Sequence, residues 1–174
     1  MGTTETFQKK KLIIGVIAAS GMERGEVEFP LLERFGALDY RSRIIEFDYT
    51  DYYQREMGND LKRFFLSFVD LVDPADLASI KIATNEIERR FSDSGDRRVN
   101  LDPGLLDLSR LILATTKDNA HRIPLRDGIY GEITLLYRKK DFVYLEWTYP
   151  DYRSEEYREI LREIREIYKA DLKH

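Results

Sequence analysis

The run Leu12-Ile13-Ile14-Gly15-Val16-Ile17-Ala18-Ala19 constrains the fold more than any other feature of the chain. It is apolar throughout and rich in β-branched residues, so it reads as a fully buried strand around which the remainder must fold. It is far shorter than the roughly 20 apolar residues that cross a bilayer as a helix. Lys9, Lys10 and Lys11 before it and Ser20 after it give the outline of a short signal peptide. The β-branched character of the run and the absence of any downstream cysteine favour the buried strand instead.

The segments that follow alternate between strand and helix periods. Residues 1–10 are polar and are expected to form a flexible lead-in, with residues 11–174 making one α+β domain. Val27, Leu31, Leu32 and Phe35 have helical spacing and Gly36 stops the run, which places Pro30 in the first turn of a short helix. A second strand is expected over Tyr40 to Tyr49. Between Leu61 and Val72, Phe64, Leu66 and Phe68 alternate with polar or smaller residues, the pattern of a strand with one face in the core. Asp73 is a good N-cap, Pro74 suits the first helical position, and Leu77, Ile80, Thr84, Ile87 and Phe91 trace one helix face until Ser92 to Gly95.

Arg97 to Leu101 supplies another strand, and Asp102-Pro103-Gly104 reads as a turn in which the aspartate bonds its own backbone. The order strand, helix, strand, strand, helix, strand makes the first hundred residues ferredoxin-like. Strands over Leu111 to Thr115, Arg122 to Arg126, Ile129 to Arg138 and Phe142 to Trp147 add a meander, with a hairpin turn at Asp127-Gly128. A C-terminal helix starts at Ser154 with Glu155 and Glu156 in its first turn and buries Tyr157, Ile160, Leu161, Ile164, Ile167 and Tyr168. The expected fold is therefore α+β with a mostly antiparallel sheet.

Composition removes several function classes. The 174 residues include no cysteine, so there is no thiolate nucleophile, no disulfide framework and no cysteine-ligated metal, and a cytoplasmic setting is expected. A net charge of -4 leaves no basic footprint for a nucleic-acid backbone, and nucleic acid is disfavoured as a partner. Neither a Gly-x-x-x-x-Gly-Lys-Ser/Thr phosphate loop, a Gly-x-Gly-x-x-Gly fingerprint nor a Gly-x-Ser-x-Gly elbow occurs. An oxygen-ligand metal site would need Asp48, Asp51, Asp102, Glu132, Glu146 or Asp151 to converge, and no spacing compels it, so no metal residues are assigned. No cofactor is indicated.

The densest polar stretch runs from Asn100 to Arg122. Its first part, Asn100 to Gly104, reads as architectural. Its second part gathers Thr115, Thr116, Lys117, His121 and Arg122 at a strand end. Lys117 and Arg122 can neutralise an anion to which the threonine hydroxyls donate, His121 can serve as acid or base, and Glu132 or Glu146 can orient its imidazole if either points into the same cleft. The competing reading is a solvated loop with surface ion pairs and a packed histidine. Asp102 is kept as a neighbour of the site.

A second pattern is internal. Glu46-Phe47-Asp48-Tyr49-Thr50-Asp51-Tyr52 and Glu146-Trp147-Thr148-Tyr149-Pro150-Asp151-Tyr152 share Glu, aromatic, any, Tyr, any, Asp, Tyr, each followed by a matching glutamate, Glu56 or Glu156. Duplication and coincidence in a tyrosine-rich chain both account for it, and Asp51 and Asp151 could act as structural caps.

Asp48-Tyr49-Thr50-Asp51-Tyr52-Tyr53 with Glu56-Met57-Gly58, Arg98 to Gly104, Ala114 to Asp118 with His121-Arg122-Ile123, Asp127 to Tyr130 and Glu146 to Tyr152 together resemble an uncharacterised bacterial family catalogued as domain of unknown function 4416. The resemblance spans nearly the whole chain and implies no reaction. A GTP-binding label carried by some similar sequences would call for a phosphate loop, which is absent here. Two classes of function remain: an enzyme or binder of an anionic small molecule bearing phosphate, nucleotide or carboxylate, and a non-enzymatic interaction module, for instance a homodimer.

Overall fold

The computed structural model describes residues 2–92 and 95–173, without the side chains of Asp51, Gln54 and Arg55. His174 lies outside these residues. The elements in chain order are β1 (Lys10–Ala18), α1 (Arg24–Phe35), β2 (Leu38–Arg41), β3 (Ile45–Phe47), α2 (Gln54–Met57), β4 (Leu61–Val72), α3 (Leu77–Arg90), β5 (Val99–Leu106), β6 (Arg110–Thr115), β7 (Ile123–Arg126), β8 (Ile129–Arg138), β9 (Asp141–Tyr144) and α4 (Glu155–Asp171).

The fold is α+β. Nine strands form one sheet in the order β2-β4-β1-β5-β6-β8-β7, with β3 added to β4 and β9 to β8. All the pairings are antiparallel. β1 lies between β4 and β5, and Leu12 to Ile17 are buried on both faces. Its even-numbered residues Leu12, Ile14 and Val16 pack with Val27 and Leu31 of α1 and Ile80 and Ile87 of α3. Ile13, on the opposite face, packs with Tyr157, Ile160, Leu161, Ile164 and Tyr168 of α4. The molecule is thus a helix–sheet–helix sandwich over this part of the sheet, which is why β1 is apolar at every position.

Local chemistry explains where the elements begin and end. The Glu23 N–H donates to the Glu26 side chain and opens α1 at Arg24. Pro30 therefore sits in the helix interior and not in the first turn, as the apolar spacing had suggested. Asp73 accepts the Ala75 N–H at 2.8 Å and caps a short turn, Pro74–Asp76, that leads into α3. Ser154 caps α4 by accepting the Tyr157 N–H. The β7–β8 hairpin turns at Asp127 (φ 55°) and Gly128 (φ 75°), consistent with a type I′ turn.

Four expected boundaries move. The single strand over Tyr40–Tyr49 is two short strands, because the Ser42 Oγ accepts the Phe65 N–H and donates to the Arg43 carbonyl, ending the regular ladder at that point. β4 is buried on both faces: Arg63, Phe65 and Ser67 are as buried as Phe64, Leu66 and Phe68, because α4 covers the side that the alternation assigned to solvent. Asp102-Pro103-Gly104 continues β5 and makes no turn. A Cβ at Gly104 would lie 2.7 Å from the Ile112 carbonyl oxygen, so this glycine serves close approach of two strands. β9 stops at Tyr144, because Thr148 accepts the Leu145 N–H and donates to the Thr134 carbonyl, folding the following residues into a corner.

One buried cation ties three strands together. Arg63 of β4 is fully buried, and its guanidinium crosses above Gly15 of β1 to reach Asp102 of β5 at 2.9 Å. Its other terminal nitrogen donates to the Tyr152 hydroxyl at 2.7 Å, and the rings of Phe65, Tyr152 and Tyr157 stand 4.8–5.5 Å from the guanidinium carbon. A methyl group on Gly15 would sit 2.5 Å from Arg63 Nη2. The guanidinium is pinned on both sides and cannot step away without giving up a charged hydrogen bond. Gly15→Ala is therefore expected to cost about 2–3 kcal/mol of folding stability; a urea midpoint equal to that of the parent would show that Arg63 is free to move.

Candidate functional site

Between β5 and β6 the sheet opens. The two strands pair only through Gly104–Leu106 and Leu111–Leu113, whereas β6 runs on to Thr115 alongside β8. Pro103, just before the paired segment, carries no N–H for either neighbour. A cavity of about 640 Å³ fills the opening, reached by Lys81, Asn85 and Glu88 of α3, Asn100 and Asp102 of β5, and Ala114 and Thr115 of β6. Clefts of this size, aromatic-walled with convergent polar groups, are the usual form of small-molecule sites.

The two related tyrosine segments supply much of the wall. Phe47, Tyr49, Thr50, Tyr52 and Tyr53 line it from one, and Tyr149, Pro150, Asp151 and Tyr152 from the other. Their backbones repeat one another: a short 3₁₀ turn begins at Asp51 in the first and at Asp151 in the second, and each leads into a helix. The Asp51 side chain lies outside the described residues. Asp151 is buried and belongs to the turn itself, with Pro150 in the capping position.

Of the residues singled out from sequence, Asp102, Thr115, Thr116, Lys117, Arg122 and Glu132 line this cavity. Asp102 bonds no backbone of its own; it accepts from Arg63 and, at 2.9 Å, from the Asn100 amide. Arg122 is committed internally, with Nε on Glu132 at 2.8 Å, Nη1 on the Lys117 carbonyl and Nη2 on the Tyr149 hydroxyl. Lys117 is exposed at the mouth, where its ammonium donates to the Tyr52 hydroxyl at 3.0 Å. Thr115 Oγ1 accepts the Lys117 N–H. His121 stands outside the cavity, on the far side of Glu132: its Nε2 is 2.9 Å from Glu132 Oε2, its ring stacks on Trp147 at 5.0 Å, and it faces a neighbouring apolar groove.

Arg63, Lys81, Glu88 and Arg97 were not singled out from sequence, and Asp151 was named there only as a candidate cap or oxygen ligand of a metal. Lys81 donates to the Leu101 carbonyl at 2.7 Å, and Arg97 forms a two-pronged pair with Glu56. The signal available for Arg63 was its place beside Leu61, Phe64, Phe65 and Leu66 in a strand rich in apolar residues, and for Asp151 its place in the repeated tyrosine pattern. Among the described residues no group of three or more histidine, aspartate or glutamate side chains converges to hold a metal ion, and no helix is long and apolar enough to cross a membrane.

The carboxyls in the cavity are driven in opposite directions. Burial works to raise Asp102, but the Arg63 charge, with Lys81 behind it, holds this carboxyl below its ordinary range. Burial raises Asp151 above its usual 3.8 against the pull of Arg63, and the Asp102 charge pushes it further up. Burial likewise raises Glu88, opposed by Lys81. Two carboxyls shifted in opposite directions within one cavity are a pattern found at acid–base sites.

An α+β domain with a polar, tyrosine-walled cavity at a split in its sheet is the class that fold and site define. The family model described as Domain of unknown function (DUF4416) matches residues 8–168, and the chain belongs to that family. No curated protein and no solved structure matches the chain.

The raised Asp151 carboxyl has a consequence for stability. Because its folded value lies above the ordinary one, ionising it works against folding: the cost is absent well below pH 3.8, grows as pH rises, and is complete once the folded carboxyl has ionised. Asp151→Asn is expected to raise the melting temperature by a few degrees at pH 7 and to leave it unchanged at pH 3. Melting curves across that range test the sign; a variant less stable at pH 7 would mean that the Asp151 charge is a required partner of Arg63.

Proposed function

We propose that the protein binds an anionic small molecule in the cavity between β5 and β6, with the anionic group at the mouth beside Lys117. The observation that carries this reading is the charge of the lining. Among the described residues it has five cationic side chains, Lys81, Arg89, Arg97, Lys117 and Arg122, and four acidic ones, Glu88, Asp102, Glu132 and Asp151. By count the cationic side chains exceed the acidic ones by one, and burial raises the carboxyls of two of those four, Glu88 and Asp151, above their ordinary values. Phosphate and carboxylate groups are the ligands that such a surplus favours, and tyrosine faces accommodate the body of the molecule. Asp102 and Asp151 lie where acid–base chemistry on a bound ligand could follow.

Lys117 and Arg122 have separable roles in this reading. Lys117 is the exposed anion contact, whereas Arg122 neutralises the buried Glu132 and holds the cavity wall. A thermal-shift screen with nucleotides, sugar phosphates and dicarboxylates is expected to give a stabilising ligand. Lys117→Ala should then weaken its binding by roughly tenfold while leaving the unliganded melting temperature nearly unchanged. Arg122→Ala should lower the unliganded stability by about 3 kcal/mol, because it strands a buried carboxylate. An unchanged dissociation constant in Lys117→Ala contradicts the proposed anion position.

A further inference from the structure

The geometry points to a phosphorylated sugar, free or within a nucleotide, as the ligand of this cavity, with a sugar hydroxyl donating to Glu132 Oε1. The inference rests on the anion-binding reading above and adds to it what the ligand must carry besides its charge.

Glu132 is the reason. Its side chain is only 3% exposed, and both donors that reach it, His121 Nε2 and Arg122 Nε, use the same oxygen, Oε2. Oε1 is buried and has no hydrogen-bond partner among the described residues. Buried acceptors are nearly always satisfied, so an orphan carboxylate oxygen calls for a donor that the protein itself does not supply. Glu132 lines the cavity and not the apolar groove behind it; its strand neighbours Gly131 and Ile133 face that groove. A donor for Oε1 therefore comes from whatever fills the cavity.

The type of donor follows from its surroundings. An ammonium group would add positive charge to a cavity already lined by more cations than anions, next to Arg122 in particular. A neutral O–H donates without that repulsion. The same wall holds further groups suited to hydroxyls: the Asn100 amide, the Thr115 and Thr116 hydroxyls, and the Asp151 carboxyl, which backbone N–H groups of Asp151 and Tyr152 also reach. Tyr49 and Tyr53 add aromatic rings against which the C–H face of a sugar can lie. A ligand with several neutral donors and one anionic group satisfies both the orphan oxygen and the cationic mouth. Inorganic phosphate or a simple dicarboxylate satisfies only the mouth.

The test compares ligands on the intact wild-type protein by calorimetry, using inorganic phosphate, glucose 6-phosphate, AMP and the monodeoxy analogues of the last two, each hydroxyl removed in turn. Glucose 6-phosphate or AMP is expected to bind at least roughly tenfold more tightly than inorganic phosphate, and one deoxy analogue should lose most of that gain. Which parent shows it separates a free sugar phosphate from a nucleotide. Glu132→Gln should weaken the parent ligand to the level of that deoxy analogue and leave the analogue itself unaffected, so that the two changes are not additive. Should the glutamine variant fail to fold, the wild-type series decides alone. If both parents bind no more tightly than inorganic phosphate, or if every deoxy analogue matches its parent, the sugar hydroxyl is overturned while anion binding stands. If nothing binds, phosphate included, both readings fall together.

Discussion

The buried guanidinium of Arg63 is the constraint on which the other features depend. A cation removed from water is tolerated only where anions, lone pairs and aromatic faces replace its hydration, and two strands, a corner and a helix contribute to that replacement. Asp102 comes from β5, Tyr152 from the corner before α4, and Tyr157 from α4 itself. Gly15 supplies the empty space over which the side chain passes. The arrangement couples the sheet to the helix on its far face, and it also reaches the cavity: the Asp102 carboxyl that faces Arg63 lines it and is held below its ordinary value by that charge.

The cavity arises from a failure of pairing that the fold does not repair. β5 turns from β6 after three paired residues on each strand, and the gap is closed by side chains from α3, from the end of β6 and from the two tyrosine corners. Several of the groups there also carry structural bonds of their own. Arg97 pairs with Glu56 and bonds Asn100, while Arg122 ties Glu132 to Tyr149. The polar wall is therefore held in place by the fold itself. Against that background the second oxygen of Glu132 stands out as a buried acceptor without a partner among the described residues.

Much of the architecture was legible because it follows from local rules. The apolar continuity of Leu12–Ala19, the cap at Asp73, the Asp127-Gly128 turn and the apolar stripe of the last helix all report interactions within a few residues, and each element lies where those rules put it. The errors came where a distant partner overrode the local signal. Ser42 ends a strand by bonding Phe65 across the sheet, Gly104 is a glycine because β6 presses against it, and Arg63 points inward because Asp102 is there to receive it. A polar residue between apolar ones looks solvent-facing until its counter-charge is located.

For the site, the sequence by itself determined which chemical groups are available: a cluster of threonine, lysine and arginine after β6, two tyrosine-aspartate corners, no thiol and no phosphate loop. It also determined that the chain would form an antiparallel α+β domain. Only the tertiary structure decided that Asp102 and Asp151 share a cavity with that cluster, that Arg122 is spent on Glu132, and that His121 stands behind the wall. The physical reason is that the type and order of elements follow from short-range periodicity. The ionisation and accessibility of a side chain follow instead from which charges and surfaces the whole fold brings within a few ångströms of it.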